Sequence, residues 1–172
     1  DTPNITTYDV SLGDLDGDGD LDLVAGNQGQ ENRVYLGDGD GTFATGSDAT
    51  TSANTHGASL GDVDGDGKLD LIEGNYNGTN KIHLGNGDGT FAAGTEISSA
   101  SNATLTAALL EDVDGDGDLD FFEATEQANQ LYLGNGDGTF ADGNDLASAT
   151  NRTWFAAFGD VDGDGDVDLV AG

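Results

Sequence analysis

The chain of 172 residues contains no cysteine, no methionine, one proline and only four lysine and arginine residues. Without cysteine it forms neither disulfides nor thiolate metal sites. No apolar run reaches the ~18 residues that a transmembrane helix needs, so we expect no membrane insertion. Glycines interrupt every window that could form a helix of more than a turn or two. The sequence therefore predicts a nearly all-β protein.

Negative charge dominates the composition of the chain. Asp and Glu number 34, which gives a formal net charge of −30. Such a chain should repel nucleic-acid phosphates and anionic membranes, so we expect no nucleic-acid partner. The acidic residues cluster at regular intervals between alternating apolar residues, which is not typical of a disordered chain. Clustered carboxylates among glycines indicate a hard cation as the natural partner.

A nine-residue acidic loop, Asp-x-Asp-Gly-Asp-Gly-x-x-Asp, recurs four times. Its starts are separated by 48, 50 and 48 residues, a period typical of propeller repeats, and lie at Asp14, Asp62, Asp112 and Asp160. A second motif, of the form Gly-Asn-Gly-Asp-Gly-Thr-Phe, follows the first three loops at residues 37–43, 85–91 and 134–140. Its Asn-Gly and Asp-Gly pairs favour positive φ and predict hairpin turns.

The segments around the loops have the period of two that is typical of β-strands. Apolar residues stand two positions before each loop, at Leu12, Leu60, Leu110 and Phe158. Short apolar runs follow each loop, and 95–97 is a candidate fourth strand. Each unit thus supplies three or four antiparallel strands, the content of one propeller blade. We predict a single repeat domain over 1–172, with blades at 1–50, 51–99 and 100–148 and a partial blade at 149–172.

The acidic loops have the composition of calcium sites. Positions 1, 3, 5 and 9 offer carboxylates and position 7 offers a backbone carbonyl, which gives the five or more oxygens that Ca²⁺ requires. Glycines at positions 4 and 6 let the backbone turn tightly around an ion. We expect about four Ca²⁺ ions, one per loop. The predicted ligands are Asp14, Asp16, Asp18, Asp20 and Asp22; Asp62, Asp64, Asp66, Lys68 and Asp70; Asp112, Asp114, Asp116, Asp118 and Asp120; and Asp160, Asp162, Asp164, Asp166 and Asp168.

Other interpretations of these loops fit less well. Mg²⁺ would keep several waters, zinc lacks its usual His or Cys ligands, and a solvated acidic turn would leave several carboxylates in mutual repulsion. Two loops also satisfy the EF-hand expression, with Glu73 and Glu123 at position 12. An EF-hand needs a helix on each side, and the other two loops have Ala25 and Ala171 at that position. We therefore interpret both glutamates as strand residues.

The two histidines do not indicate an enzyme. By repeat alignment His56 and His83 stand where neighbouring units mostly use an aromatic residue, so we predict that they pack. No nucleophile accompanies either in a known motif, and the metal loops account for most carboxylate pairs. We assign no catalytic residue. The sequons at Asn4, Asn77, Asn102 and Asn151 are candidate glycosylation sites, depending on the host.

Across essentially the whole chain the units resemble FG-GAP/VCBS repeats, the calcium-loop blades of integrin-α-like β-propellers. The resemblance lies in residues 12–23 and 60–71, which read Leu-Gly-Asp-Leu/Val-Asp-Gly-Asp-Gly-x-Leu-Asp-Leu, and in the second motif. It implies a loop between the first two strands of each blade that binds Ca²⁺, on a propeller used for adhesion or ligand binding. Such propellers commonly have about seven blades, so we expect further blades of the parent protein, or other copies, to complete this one.

Extracellular calcium modules bind at about 10⁻⁴ to 10⁻³ M, so we expect a secreted or cell-surface location. The favoured function is a module that binds a protein or glycan ligand, with calcium stabilising the blades. The alternative is a structural subunit of an extracellular fibre or surface assembly, built by blade completion between chains. An enzyme ranks third.

Overall fold

The computed structural model describes residues 5–51, 53–97, 104–146 and 152–172, and within these ranges the chain is all strand, turn and loop. No helix long and apolar enough to cross a membrane occurs in these ranges. The predicted all-β class is confirmed. The strands are β1 (Thr6–Gly13), β2 (Asp22–Gln30), β3 (Arg33–Tyr35), β4 (Ser47–Asp48), β5 (Ala53–Gly61), β6 (Asp70–Asn75), β7 (Lys81–His83), β8 (Thr95–Glu96), β9 (Leu105–Glu111), β10 (Asp120–Thr125), β11 (Gln130–Tyr132), β12 (Asn144–Asp145), β13 (Ala156–Gly159) and β14 (Asp168–Ala171).

The strands form four antiparallel units in chain order. The first unit is β1–β4, the second β5–β8 and the third β9–β12, and in each of them neighbours in sequence are neighbours in the sheet. β13 and β14 pair as the described part of the fourth unit. A short pairing of β2 with β5 joins the first two units. This is the predicted propeller-type arrangement of about three and a half blades.

Strand register is the same in all four units. The apolar residue two positions before each acidic loop pairs with the residue that follows the loop's last aspartate. These pairs are Leu12↔Leu23, Leu60↔Leu71, Leu110↔Phe121 and Phe158↔Leu169. Each acidic loop therefore connects the two strands of a β-hairpin, and these strands pair directly next to the loop.

The core lies between successive units rather than inside one. Val24 and Val34 of the first unit pack with Ala58 and Leu71 of the second. The next cluster joins the second and third units through Val63, Ile72, Ile82, Leu105, Ala108, Phe121 and Tyr132. Burial of a large apolar side chain contributes about 1.5–3 kcal/mol. Each unit is thus stabilised by its neighbour, as in other repeat proteins.

Hairpin turns connect one unit to the acidic loop of the unit before it. The second motif forms such turns, closed by bridges between Gly37 and Phe43 and at the two equivalent places. The Gly89 N–H donates to the Leu15 carbonyl at 3.1 Å. Gly138 N–H donates in the same way to the Val63 carbonyl at 3.0 Å. The first and second acidic loops therefore rest on the next unit.

Candidate metal centres

The four acidic loops connect the first and second strands of their units. In every loop the glycines at positions 4 and 6 have positive φ, between 73° and 98°. A side chain at these positions would be strained, because this backbone conformation favours glycine. The glycines let each loop curl so that the carboxylates of the odd positions converge.

Three carboxylates in each loop each have one oxygen atom within 4.8 Å of the other two. The groups are Asp14, Asp16 and Asp18; Asp62, Asp64 and Asp66; Asp112, Asp114 and Asp120; and Asp160, Asp162 and Asp168. Positions 1 and 3 thus belong to every group, joined by position 5 in the first two loops and by position 9 in the last two. The predicted ligands outside these groups are Asp22, Asp70, Asp116 and Asp164. The carbonyls of Asp20, Lys68, Asp118 and Asp166 stay a prediction.

Backbone N–H groups hold the first carboxylate of each loop in place. In the first loop Asp14 accepts hydrogen bonds from Gly17 N at 2.8 Å and from Gly19 N at 3.1 Å. The third and fourth loops repeat both bonds at 2.7 to 3.1 Å. In the second loop Asp62 accepts from Asp66 N and Gly67 N. A cation would therefore meet carboxylates whose positions the loop backbone has already set.

The grouped charges disfavour one another in the absence of a cation. Burial raises the pKa of Asp16 above its ordinary value, and the charges of Asp18, Asp22 and Asp14 raise it further. Burial likewise raises the pKa of Asp70, with added repulsion from the carboxylates of the same loop. The donor set consists of oxygen atoms, which fits a hard divalent ion such as Ca²⁺.

The carboxylate at position 9 has a structural role that the sequence did not reveal. Asp22, Asp70 and Asp120 are almost fully buried. One oxygen accepts a backbone N–H from loop position 2, namely Leu15 at 2.7 Å, Val63 at 2.9 Å and Val113 at 2.9 Å. The other accepts the N–H that opens the hairpin turn, namely Gly37, Gly85 and Gly134, each at 2.8 Å. The same side chain therefore ties the loop to the turn of its own unit.

The second loop differs from the others at position 7. Lys68 replaces an aspartate there, and its Nζ lies 2.6 Å from Asp66 Oδ2. The hydrogen bond from Lys68 lowers the pKa of Asp66. Both side chains are more than a third exposed, so solvent screens the pair. Asp66, a predicted calcium ligand of the second loop, is thus already paired with the ammonium group of Lys68.

Glu73 and Glu123 lie in β6 and β10, which confirms them as strand residues rather than loop ligands. Both are fully buried. His83 Nε2 lies 3.2 Å from Glu73, and Asn75 donates to the same carboxylate at 2.8 Å. In the third unit the Tyr132 hydroxyl donates to Glu123 at 3.0 Å. His83 therefore packs where Tyr132 packs, as its alignment predicted.

Of the four sequons, Asn77 alone lies in the described part of the chain, and Asn4, Asn102 and Asn151 lie outside it. Asn77 is exposed in a turn with a φ of 55°. Its side-chain oxygen accepts a hydrogen bond from Thr104 Oγ1 at 3.3 Å. Asn77 is therefore exposed, and its glycosylation stays a prediction.

The sequence profile of the FG-GAP-like repeat matches the chain three times, over residues 14–73, 62–122 and 112–171. Together with the blade-like fold, these matches cover nearly the whole chain. The chain therefore belongs to the FG-GAP-like repeat family. No curated protein sequence matches it.

Solved structures that share the fold include the following three. A lectin of Agrocybe aegerita, described by its recognition of non-reducing terminal N-acetylglucosamine, has a TM-score of 0.71 at 23% identity over 97% of this chain and 48% of its own. The pore of the Photorhabdus luminescens Tc holotoxin scores 0.57 at 22% identity over 94% of this chain and 8% of its own. The V. cholerae biofilm matrix protein Bap1 scores 0.55 at 17% identity over 94% and 27%. The chain spans less than half the length of each.

Proposed function

We propose that the chain is an extracellular calcium-binding propeller module that binds a protein or glycan ligand, with about four Ca²⁺ ions, one per loop, stabilising the blades. One observation carries the proposal. Each of the four loops brings three carboxylates together at the same place in its unit. The first and second loops lie against the hairpin turn of the next unit and place Leu15 and Val63 in the cores between units, so an ion held there would act on packing as well as on charge.

The aspartates at positions 1 and 3 would hold the ion together with position 5 in the first two loops and position 9 in the last two, and the carbonyl of position 7 would close the shell. The ion would supply positive charge: four bound ions would bring the net charge from −30 to about −22. The mutual repulsion of the loop carboxylates, which adds to burial in raising the pKa of Asp16 and Asp70, would then be offset by their attraction to the ion. Since modules of this kind bind calcium at about 10⁻⁴ to 10⁻³ M, a secreted or cell-surface location suits them.

Ligand binding rather than catalysis is supported by the surroundings of the titratable groups. The buried Glu73 and Glu123 are held by neighbouring side chains, and three carboxylates of each loop are grouped closely enough to hold a metal ion. The fold is shared with a lectin that recognises N-acetylglucosamine. A glycan or protein ligand is therefore the partner we propose.

A chelator experiment tests the calcium role. In about 5 mM calcium, a site with a Kd of about 10⁻⁴ to 10⁻³ M stabilises the fold by roughly 1–2 kcal/mol. Four such sites should raise the Tm by about 10–30 °C, because each kcal/mol shifts a domain of this size by about 2–4 °C. Calorimetric melts with calcium and with EDTA measure this shift. Coincident melts would refute the proposal.

A second candidate is a structural subunit of an extracellular assembly. It is favoured by the fold shared with a biofilm matrix protein and by exposed apolar residues in the outer units, such as Leu12 at 55% and Val161 at 65%. Electron microscopy of the calcium-loaded protein separates the two candidates. Filaments or sheets support the assembly, and discrete particles support the binding module.

A further inference from the structure

An aromatic cleft of about 290 Å³ lies at the end of the units where the first strands begin and the second strands end, away from the acidic loops. We define it by six of its lining residues, Tyr8, His56, Tyr76, Thr106, Glu126 and Trp154. Four of these, Tyr8, His56, Thr106 and Trp154, stand six positions before the loop of their own unit. The repeat thus brings equivalent positions of four units to one cleft, but with different side chains.

Aromatic rings form one side of the cleft. The ring of His56 stacks between Tyr8, at a centroid distance of 3.9 Å, and Tyr76, at 4.5 Å. Tyr8 is 50% exposed and Trp154 is 59% exposed. Aromatic residues with one apolar surface and one polar tip are suited to ligands that are both apolar and hydroxylated.

Polar groups stand among these rings. His56 Nε2 is buried and has no hydrogen-bond partner among the described residues. An unpaired buried polar atom costs free energy, which a ligand or water that bonds to it would recover. Burial lowers the pKa of His56, so the ring is neutral near pH 7 and offers one donor and one acceptor. The hydroxyl of Thr106 and the carboxylate of Glu126 add further oxygen atoms.

The charges around the cleft select against ions of either sign. Arg152 pairs with Glu126, and its guanidinium lies 4.9 Å from the Trp154 ring centroid. The carboxylate is thereby neutralised and one ring face already holds a cation, so a cationic ligand would gain little. The net charge of −30 disfavours anions. A neutral ligand with hydroxyl groups fits best, and the volume suits a single ring.

The geometry points to the aromatic cleft as a binding site for one neutral sugar ring, the terminal residue of a glycan. The sugar would place an apolar face against Trp154 or Tyr8 and direct hydroxyls to Glu126 and His56. This inference rests on the proposed function as a glycan-binding module.

Trp154 is the only tryptophan of the chain, so its fluorescence reports on the cleft directly. Calcium-loaded protein is titrated with N-acetylglucosamine, galactose and, as an anionic sugar, N-acetylneuraminic acid. We expect a saturable change in emission with at least one neutral sugar, and binding at least tenfold weaker with the anionic one. By calorimetric titration, W154A should bind the neutral sugar at least tenfold more weakly. The matched control is F155A, because Phe155 is the adjacent residue, is 66% exposed and does not line the cleft. It should bind within twofold of the parent.

Each outcome decides the inference. If W154A does not fold, Y8A replaces it, with the same expected loss. Unchanged affinity in the cleft variants would place the sugar on another surface, overturning the cleft while leaving the glycan-binding module intact. If none of the three sugars binds and the calcium-dependent melt is intact, the cleft is overturned and the calcium module stands. Coincident melts with and without calcium would overturn the proposed function itself.

Discussion

Replacement of Asp70 by alanine separates the structural role of position 9 from metal binding. The Asp70 side chain is 1% exposed and accepts two backbone N–H bonds, from Val63 at 2.9 Å and from Gly85 at 2.8 Å. Alanine would leave both donors without this acceptor. The connection between the second loop and its hairpin turn would be lost.

The magnitude follows from the two bonds and from the cost of burying the charge. A hydrogen bond to a charged group contributes about 1.5–3 kcal/mol, so the pair contributes roughly 3–6 kcal/mol. Burial raises the pKa of Asp70, which shows that part of this gain is offset by desolvation. We expect a net loss of about 2–4 kcal/mol, or about 5–15 °C in Tm.

The assay is a thermal melt in EDTA, where no ligand role contributes. The matched control is Asp66→Ala in the same loop, because the Asp66 side chain is 37% exposed and its partner Lys68 is exposed too. We expect D70A to melt well below the parent in EDTA and D66A to melt within about 2 °C of it. Both variants should lose part of the stabilisation by calcium. Equal melting temperatures for D70A and D66A in EDTA would refute the structural role of position 9.

Three further substitutions test neighbouring features of the structure. Lys68→Asp should tighten calcium binding at the second loop about tenfold, because it releases Asp66 and removes a positive charge beside a divalent ion. The reverse change, Asp118→Lys, should weaken calcium binding at the third loop to a similar extent. Calorimetric titration measures both affinities, and unchanged isotherms would contradict the role of Lys68. His83→Phe should cost about 1–3 kcal/mol at pH 7, because it removes the imidazole whose Nε2 lies 3.2 Å from the buried Glu73 carboxylate. Burial alone would raise the pKa of Glu73, but His83 and Asn75 hold this pKa below its ordinary value of 4.5. The Glu73 carboxylate therefore stabilises the fold above about pH 4.5, and this contribution is lost as the pH falls through the pKa of the folded state. The deficit of the variant should therefore shrink in melts at progressively lower pH, and a deficit that stays constant until the parent unfolds in acid would rule out the charge of Glu73 as its cause.

The features that depend on spacing along one unit could be predicted from the sequence. The period of two placed Leu12, Leu60, Leu110 and Phe158 in first strands, and the register confirms them. Hairpin turns at the second motif and the strand positions of Glu73 and Glu123 are confirmed for the same reason. The blade boundaries and the individual metal ligands stay predictions.

The features that the sequence did not reveal depend on contacts between distant segments. Asp22 and Gly37 lie 15 residues apart, and their hydrogen bond requires the whole second strand and the turn to be placed. The stacking of Tyr8 on His56 depends on how two units pack, which no pattern within one unit encodes. The pairing of Lys68 with Asp66 is local and could have been predicted, because Lys68 is the one basic residue in the four acidic loops.

An anomalous difference map from crystals grown in about 5 mM calcium tests the central claim most directly. The account predicts four calcium peaks, one in each loop, at about 2.3–2.6 Å from carboxylate oxygens of positions 1 and 3. Loops without anomalous density under these conditions would contradict it.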